Sequence, residues 1–90
     1  MQLRPLAAEA IRHLAPGIKR AVRSAIRELS ADPASGEPLH GELEGLYKRR
    51  VRGYRIVYAI DREDRLVEVL AVGERRSIYE EVAELLRARK

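Results

Sequence analysis

Between Leu46 and Tyr58 a single dipeptide, Arg52-Gly53, carries a turn signal, and Tyr, Val, Ile and Leu fill much of the run on either side. That pattern predicts a tight β-hairpin. Centring the turn between Arg52 and Gly53 pairs Val51 with Tyr54 and Arg50 with Arg55. Arg49 then faces Ile56, and Lys48 faces Val57. Strand side chains alternate between faces, so Lys48, Arg50 and Arg55 share one face of the sheet. Tyr47, Val51, Tyr54, Ile56, Tyr58 and Ile60 line the other face, which reads as core. A one-residue bulge in the hairpin would undo this arrangement.

The hairpin also concentrates charge. Lys48, Arg49, Arg50, Arg52 and Arg55 fall within eight positions. Two arginines directly opposed on a sheet cost ~0.2–1 kcal/mol relative to neutral neighbours. A sheet that carries such repulsion suits a highly anionic partner, with nucleic acid the leading candidate. The whole chain carries a net charge of +4, and arginine far outnumbers lysine. Guanidinium groups suit bidentate contact with phosphate. Arginine- and alanine-rich usage can also follow genome composition, which bears on the overall charge more than on the hairpin cluster.

The 90 residues predict one domain, 1–90, with a small core. The only aromatics are four tyrosines, so that core must be Leu, Ile, Val and Ala. The lack of cysteine excludes a disulfide scaffold and a cysteine-ligated zinc, and it fits a cytoplasmic protein. Met1 to Pro5 has no apolar signal region, and no stretch reaches membrane-span length, so no membrane role is expected.

Residues 5–14 carry Leu6, Ala7, Ala10, Ile11 and Leu14 at helical spacing, with Pro5 suited to the first helical position. Ala15-Pro16-Gly17 reads as a helix break. A second helix follows, with Ile18, Ala21, Val22, Ala25, Ile26 and Leu29 on one face and Lys19, Arg20, Arg23 and Arg27 towards the other. That cationic face is either solvated or grips RNA backbone. So short a break predicts a helical hairpin. Residues 32–42 read as loop. Strands are expected at 46–52, 54–61 and 65–73, with a charged turn at Asp61 to Asp64. The third strand is apolar almost throughout, which predicts cover on both faces. Ser77 and Glu80 have capping-box spacing ahead of a last helix at 78–89. Met1 to Arg4 can add a short strand. The fold class is α+β: a helical hairpin packed on a curved antiparallel β-sheet of three to four strands, with a C-terminal helix.

In a meander, the end of the third strand lies beside Arg55. Arg75, Arg76 and Tyr79 then converge on the basic face. Cations with an interposed aromatic suit phosphate contact and base stacking. His13 and His40 are isolated and read as surface residues, although His40 has the chemistry for acid–base work. Asp61, Glu63 and Asp64 read as an acidic turn, not a metal site; no metal or other cofactor is expected.

The segments P-L-H-G-E-L-E-G-L-Y-K-R-R-V-R-G-Y-R-I-V-Y and V-L-A-V-G-E-R-R-S-I-Y resemble the RelE branch of the RelE/ParE type II toxin superfamily. The resemblance is close over residues 37–80 and looser before them. It implies a RelE-like fold, with helices on the convex side of the sheet and the chemistry on the concave face. It also implies a ribosome-dependent endoribonuclease (mRNA interferase) that cuts mRNA in the A site without metal. In that reaction the ribose 2′-OH attacks the adjacent phosphate. The implied partners are the ribosome with its ribosomal RNA, mRNA and a cognate antitoxin protein.

By position, Lys48 matches a catalytic lysine, Arg55 the arginine on the scissile phosphate, and Arg75 the arginine at the leaving oxygen. Tyr79 matches the tyrosine that stacks on or orients the nucleotide. Arg50 stands where a second lysine is usual, and arginine keeps its proton, so base duty falls to Lys48. Arg50, Arg52, Arg76, Arg23 and Arg27 are the expected RNA-binding residues. The residues so gathered include no histidine or carboxylate, which predicts feeble activity on free RNA. Two alternatives remain open: a ParE-like inhibitor of DNA gyrase without catalysis, and a non-catalytic RNA-binding module.

Overall fold

Arg52 and Gly53 both take left-handed backbone angles, φ +48° and +84°. Two successive positive values form the mirror-image turn whose twist matches that of its flanking strands. Tyr47–Val51 (β3) and Tyr54–Asp61 (β4) therefore pair in the expected register, with Val51 opposite Tyr54, Arg50 opposite Arg55, Arg49 opposite Ile56 and Lys48 opposite Val57. The structure is a computed structural model that describes residues 2–61 and 63–88. Met1 of the first strand segment, Arg62 of the acidic turn and Arg89 of the last helix lie outside the described residues.

β4 turns into Leu66–Gly73 (β5) through the acidic segment. Asp61 Oδ1 accepts the Glu63 and Asp64 amides at 3.0 and 3.3 Å. Its carboxylate thus serves the local backbone of a turn. Two further strands complete a five-stranded sheet in the order β1-β5-β4-β3-β2. Gln2–Leu3 (β1) runs parallel to β5, and Glu37–Pro38 (β2) runs antiparallel to β3. The sheet is thus mixed, and has one strand more than the sequence pattern indicates. β2 lies inside the segment read as loop. Two residues are too few to show alternation, and Pro38 argues against a strand except at an edge, where it lies.

Pro5–Arg12 (α1) and Pro16–Ala31 (α2) each begin on a proline. Proline gives up no intrahelical hydrogen bond there. Pro16 and Gly17 accordingly start α2, and the break between the helices is the segment 13–15. Ala7 and Ile11 of α1 join Val22, Ala25, Ile26 and Leu29 of α2 over Ile56, Tyr58, Val67, Val69 and Val72 of the sheet. Ser77–Ala88 (α3) packs Ile78, Val82 and Ala83 on the opposite face, against Leu43, Leu46, Val57, Leu70 and Ala71. Both faces of β5 are therefore covered. The helices are therefore not grouped on one side as the resemblance implied: α1 and α2 share one face and α3 lies on the other. Ser77 is the first residue of α3, and Glu80 accepts from Arg87 at 3.2 Å instead of closing a capping box.

A bulge lets β5 serve both clusters. Val57 pairs with Ala71 but Tyr58 pairs with Val69, leaving Leu70 as an extra residue. Leu70 and Ala71 both join the α3 cluster, while Val69 and Val72 join the other. Such a bulge bends the strand locally and increases its twist.

Tyr58 ties the α2–β2 connection to the sheet. It is fully buried, at 0% exposure, and its ring stacks on Tyr47 with centroids 5.5 Å apart. Its hydroxyl donates to the Pro33 carbonyl at 2.8 Å and accepts the Gly36 amide at 3.0 Å. A Cβ on Gly36 would meet this hydroxyl and stand 2.9 Å from the Lys48 carbonyl oxygen. Burial pushes the Tyr58 phenol above its ordinary value of 10.0, and the Gly36 hydrogen bond opposes that shift.

Tyr58→Phe strands the Pro33 carbonyl and the Gly36 amide, so it should cost about 1–3 kcal/mol in chemical denaturation. Because the folded phenol titrates above the unfolded one, the stability tied to neutral Tyr58 is complete below pH 10. It is lost as pH rises through the elevated value. The gap in Tm between wild type and Tyr58→Phe should therefore narrow above pH 10; a constant gap would contradict the burial effect.

Candidate nucleic-acid interface

The cationic face is built by alternation. Lys48 pairs with Val57, a residue of the α3 cluster, so Lys48 and Arg50 on β3 and Arg55 on β4 all lie on the α3 side. Arg50 and Arg55 are directly opposed. Arg49 points to the other face and binds Glu28 of α2 at 2.6 Å. One cation of the sequence cluster is thus removed from the site, and Arg52 sits exposed at the turn.

The third strand brings in the rest. Arg55 pairs with Gly73 at the end of β5. The chain then passes through Glu74, Arg75 and Arg76 into α3. Arg55 Nη1 donates to the Glu74 carbonyl at 2.8 Å, which draws this connection against β4. Arg75 and Arg76 are exposed there. The Arg55 guanidinium carbon stands 6.0 Å from the centre of the Tyr79 ring, within cation–π reach. Among the described residues, Arg55 Nε and the Tyr79 hydroxyl are buried without a hydrogen-bond partner. Buried polar atoms without a partner are uncommon, and these two belong to residues of the cationic cluster.

Sequence reasoning missed one group. Glu37 of β2 pairs with Lys48 in register, and its carboxylate lies 3.8 Å from Lys48 Nζ. The Lys48 side chain is 21% exposed and that of Glu37 is 74% exposed. The site does therefore contain a carboxylate. The available signal was weak: Glu37 is the only acidic residue between Asp32 and Glu42.

Other expected residues lie elsewhere. Arg23 and Arg27 belong to α2, on the far side of the sheet, where they border an apolar groove with Leu3, Ile11 and Ile26. They do not join the cationic cluster. His13 binds Glu9 at 2.9 Å on the exposed side of α1, and His40 is exposed beyond β2. Among the described residues, no helix is long and apolar enough to cross a membrane.

Residues 2–79 match the family described as "ParE toxin of type II toxin-antitoxin system, parDE". Over 44 residues the chain is 43% identical to Toxin RelE of Mycobacterium tuberculosis, a stretch covering 49% of this chain and 45% of that protein. Over 59 residues it is 41% identical to Toxin RelG of the same organism, covering 64% and 68%. Among solved structures it is similar to a chain of the toxin–antitoxin complex RelBE2 of M. tuberculosis. The TM-score is 0.76 at 34% identity, with 82% of this chain and 94% of that one covered. The isolated E. coli RelE toxin gives a TM-score of 0.71 at 27% identity, covering 94% and 95%. A family match across almost the whole chain and a mixed sheet with its cations gathered at one end lead to the same assignment: the chain belongs to the ParE toxin family of type II toxin–antitoxin systems, on its RelE branch.

Proposed function

We propose that this toxin is a ribosome-dependent endoribonuclease that cleaves mRNA in the A site. The observation that carries the reading is the alignment of Lys48, Arg50 and Arg55 on one sheet face, with Arg75 and Arg76 beside them. Transesterification needs three things: a deprotonated 2′-oxygen, a stabilised dianionic phosphorane and a protonated 5′-oxygen. In this reading Lys48 takes the 2′-OH proton, with the Glu37 carboxylate a second acceptor within reach of it. The 2′-oxygen bonds to phosphorus while the P–O5′ bond breaks, leaving a 2′,3′-cyclic phosphate. Arg55 holds the phosphate, and Arg75 stabilises the departing 5′-oxygen, which takes up a proton from solvent and leaves as a 5′-OH. Arg50, Arg52 and Arg76 contact the RNA backbone, and Tyr79 completes the cluster from the start of α3. Arg23 and Arg27 are too remote for the scissile strand and are assigned to ribosomal RNA backbone.

The cations offer strong phosphate stabilisation and few groups for proton transfer, which fits dependence on the ribosome for positioning. The expected regulator is a cognate antitoxin with an acidic segment covering the cationic face. The RelBE2 neighbour, itself a toxin–antitoxin complex, supports that partner.

Primer extension on mRNA from a translating extract, with and without the protein and with ribosomes omitted, tests the reading. Cuts inside codons that require ribosomes are expected. Lys48→Ala and Arg75→Ala should each lower cleavage by about 10²-fold or more. Intact mRNA would overturn the proposal and direct attention to inhibition of gyrase supercoiling. The opposed arginines should also show a trade-off. Arg50→Gln should raise stability by ~0.2–1 kcal/mol at low salt, less at high salt, while weakening binding to single-stranded RNA. A stability loss in Arg50→Gln at low salt would argue against repulsion at the turn.

A further inference from the structure

Among the described residues, two that are not glycine hold a left-handed backbone, and both are arginine: Arg52 at φ +48° and Arg65 at φ +55°. Asparagine and glycine adopt this region far more readily, and asparagine is the favoured first residue of a hairpin turn like that at Arg52-Gly53. Each arginine therefore holds a strained backbone. Such strain persists only where something else compensates for it.

Arg65 finds its compensation inside the fold. It lines a cavity with Ser30, Ala31 and Asp32, at the carboxyl end of α2. A cation is favourable at a helix C-terminus, and Asp61, Glu63 and Asp64 precede Arg65 in its turn. Arg52 has the opposite surroundings. It is exposed at the hairpin tip, next to the opposed pair Arg50 and Arg55. Among the described residues, no carboxylate forms an ion pair with it. Repulsion between like charges adds to the backbone strain, and no contact among the described residues offsets either.

We propose that Arg52 is a docking residue whose partner is the RNA phosphate next to the scissile one. Its Cα lies at most about 7 Å from that of Arg50, the reach of two residues of chain. Neighbouring phosphates of an extended strand have that same spacing. Arg50 and Arg55 belong to the scissile cluster, and Arg52 lengthens the cationic track by one nucleotide. It sets affinity for RNA and leaves the chemical step to the residues behind it. The endoribonuclease reading supplies only which phosphate is scissile; the binding role does not require cleavage.

Three variants test this: Arg52→Asn, Arg52→Lys and Arg65→Asn. The two asparagine variants remove the same charge, so Arg65→Asn controls for net charge. Arg52→Asn relieves both strain and repulsion, so its Tm should rise by about 2–6 °C at low salt. Its affinity for a short single-stranded RNA oligonucleotide should fall by about 3–10-fold, and the slope of log affinity against log salt should shrink by about 0.7. In ribosome-dependent cleavage its KM should rise with kcat unchanged. Arg52→Lys keeps the charge and the strain, so it should keep the wild-type Tm and most of the affinity. Arg65→Asn should leave RNA affinity near that of wild type. A lower Tm in Arg52→Asn would mean that arginine suits the turn, and an unchanged affinity would mean that Arg52 has no RNA contact. A loss in kcat would place it in the chemical step, and an equal affinity loss in Arg65→Asn would reduce the effect to net charge. Each of these four results overturns the proposal. If the wild type does not cleave, while Arg52→Asn still binds RNA more weakly and melts higher, the endoribonuclease reading fails and the docking role stands.

Discussion

The register of the β3–β4 hairpin is the constraint on which the rest of this toxin depends. Two left-handed residues at its turn leave one pairing of the strands. A slip of one residue would turn Ile56 and Tyr58 out of the α1–α2 core and drive Arg55 into it. Burial of Ile56 and Tyr58 therefore enforces the same register that sets Arg50 against Arg55. Apolar burial at ~25 cal/mol per Å² far outweighs the repulsion of one exposed arginine pair. The core can hold a charge arrangement that an isolated hairpin would resist.

The two faces of the sheet are covered unequally, and the cationic cluster lies on the α3 side. α1 and α2 pack over strands β3, β4 and β5 on one face. α3 covers the other face around Val57, Leu70 and Ala71, leaving the β3 side with partly exposed Lys48 and exposed Arg50. Arg49 is turned by strand alternation to α2, where Glu28 meets it. The bulge at Leu70 gives α3 two adjacent apolar side chains to sit on, and the closeness of Gly73 to Ile78 sets where α3 begins. From that start come Arg75, Arg76 and Tyr79, so the geometry around Arg55 depends on packing at a glycine.

A second chain of contacts supports Lys48. Tyr58 holds Pro33 and Gly36 to the sheet, and Gly36 leads directly into Glu37, the register partner of Lys48. A buried hydroxyl on one face thus locates a carboxylate on the other. The Glu37–Lys48 pair is mostly exposed on its acidic side, so its worth to stability is small. It brings the cationic face a carboxylate that can be approached from solvent.

Much of this was legible in the residues, where local rules act over a few positions. The hairpin pairing followed from one turn dipeptide and a period of two. The three long strands and three helices followed from apolar spacing, and the burial of Tyr58 from its face. Local rules failed where partners are distant in sequence. β2 exists because β3 offers an unpaired edge, and two residues carry no periodicity of their own. Glu37 reached Lys48 through that edge pairing. Arg23 and Arg27 left the cationic cluster because α2 packs on the other face, a choice invisible in a helix's own pattern. By itself, then, the sequence determined the main elements and the face of each hairpin residue, because backbone sterics and alternation are local. Only the tertiary structure decided which face each helix covers and what surrounds Arg55, because those depend on long-range packing of one core against another.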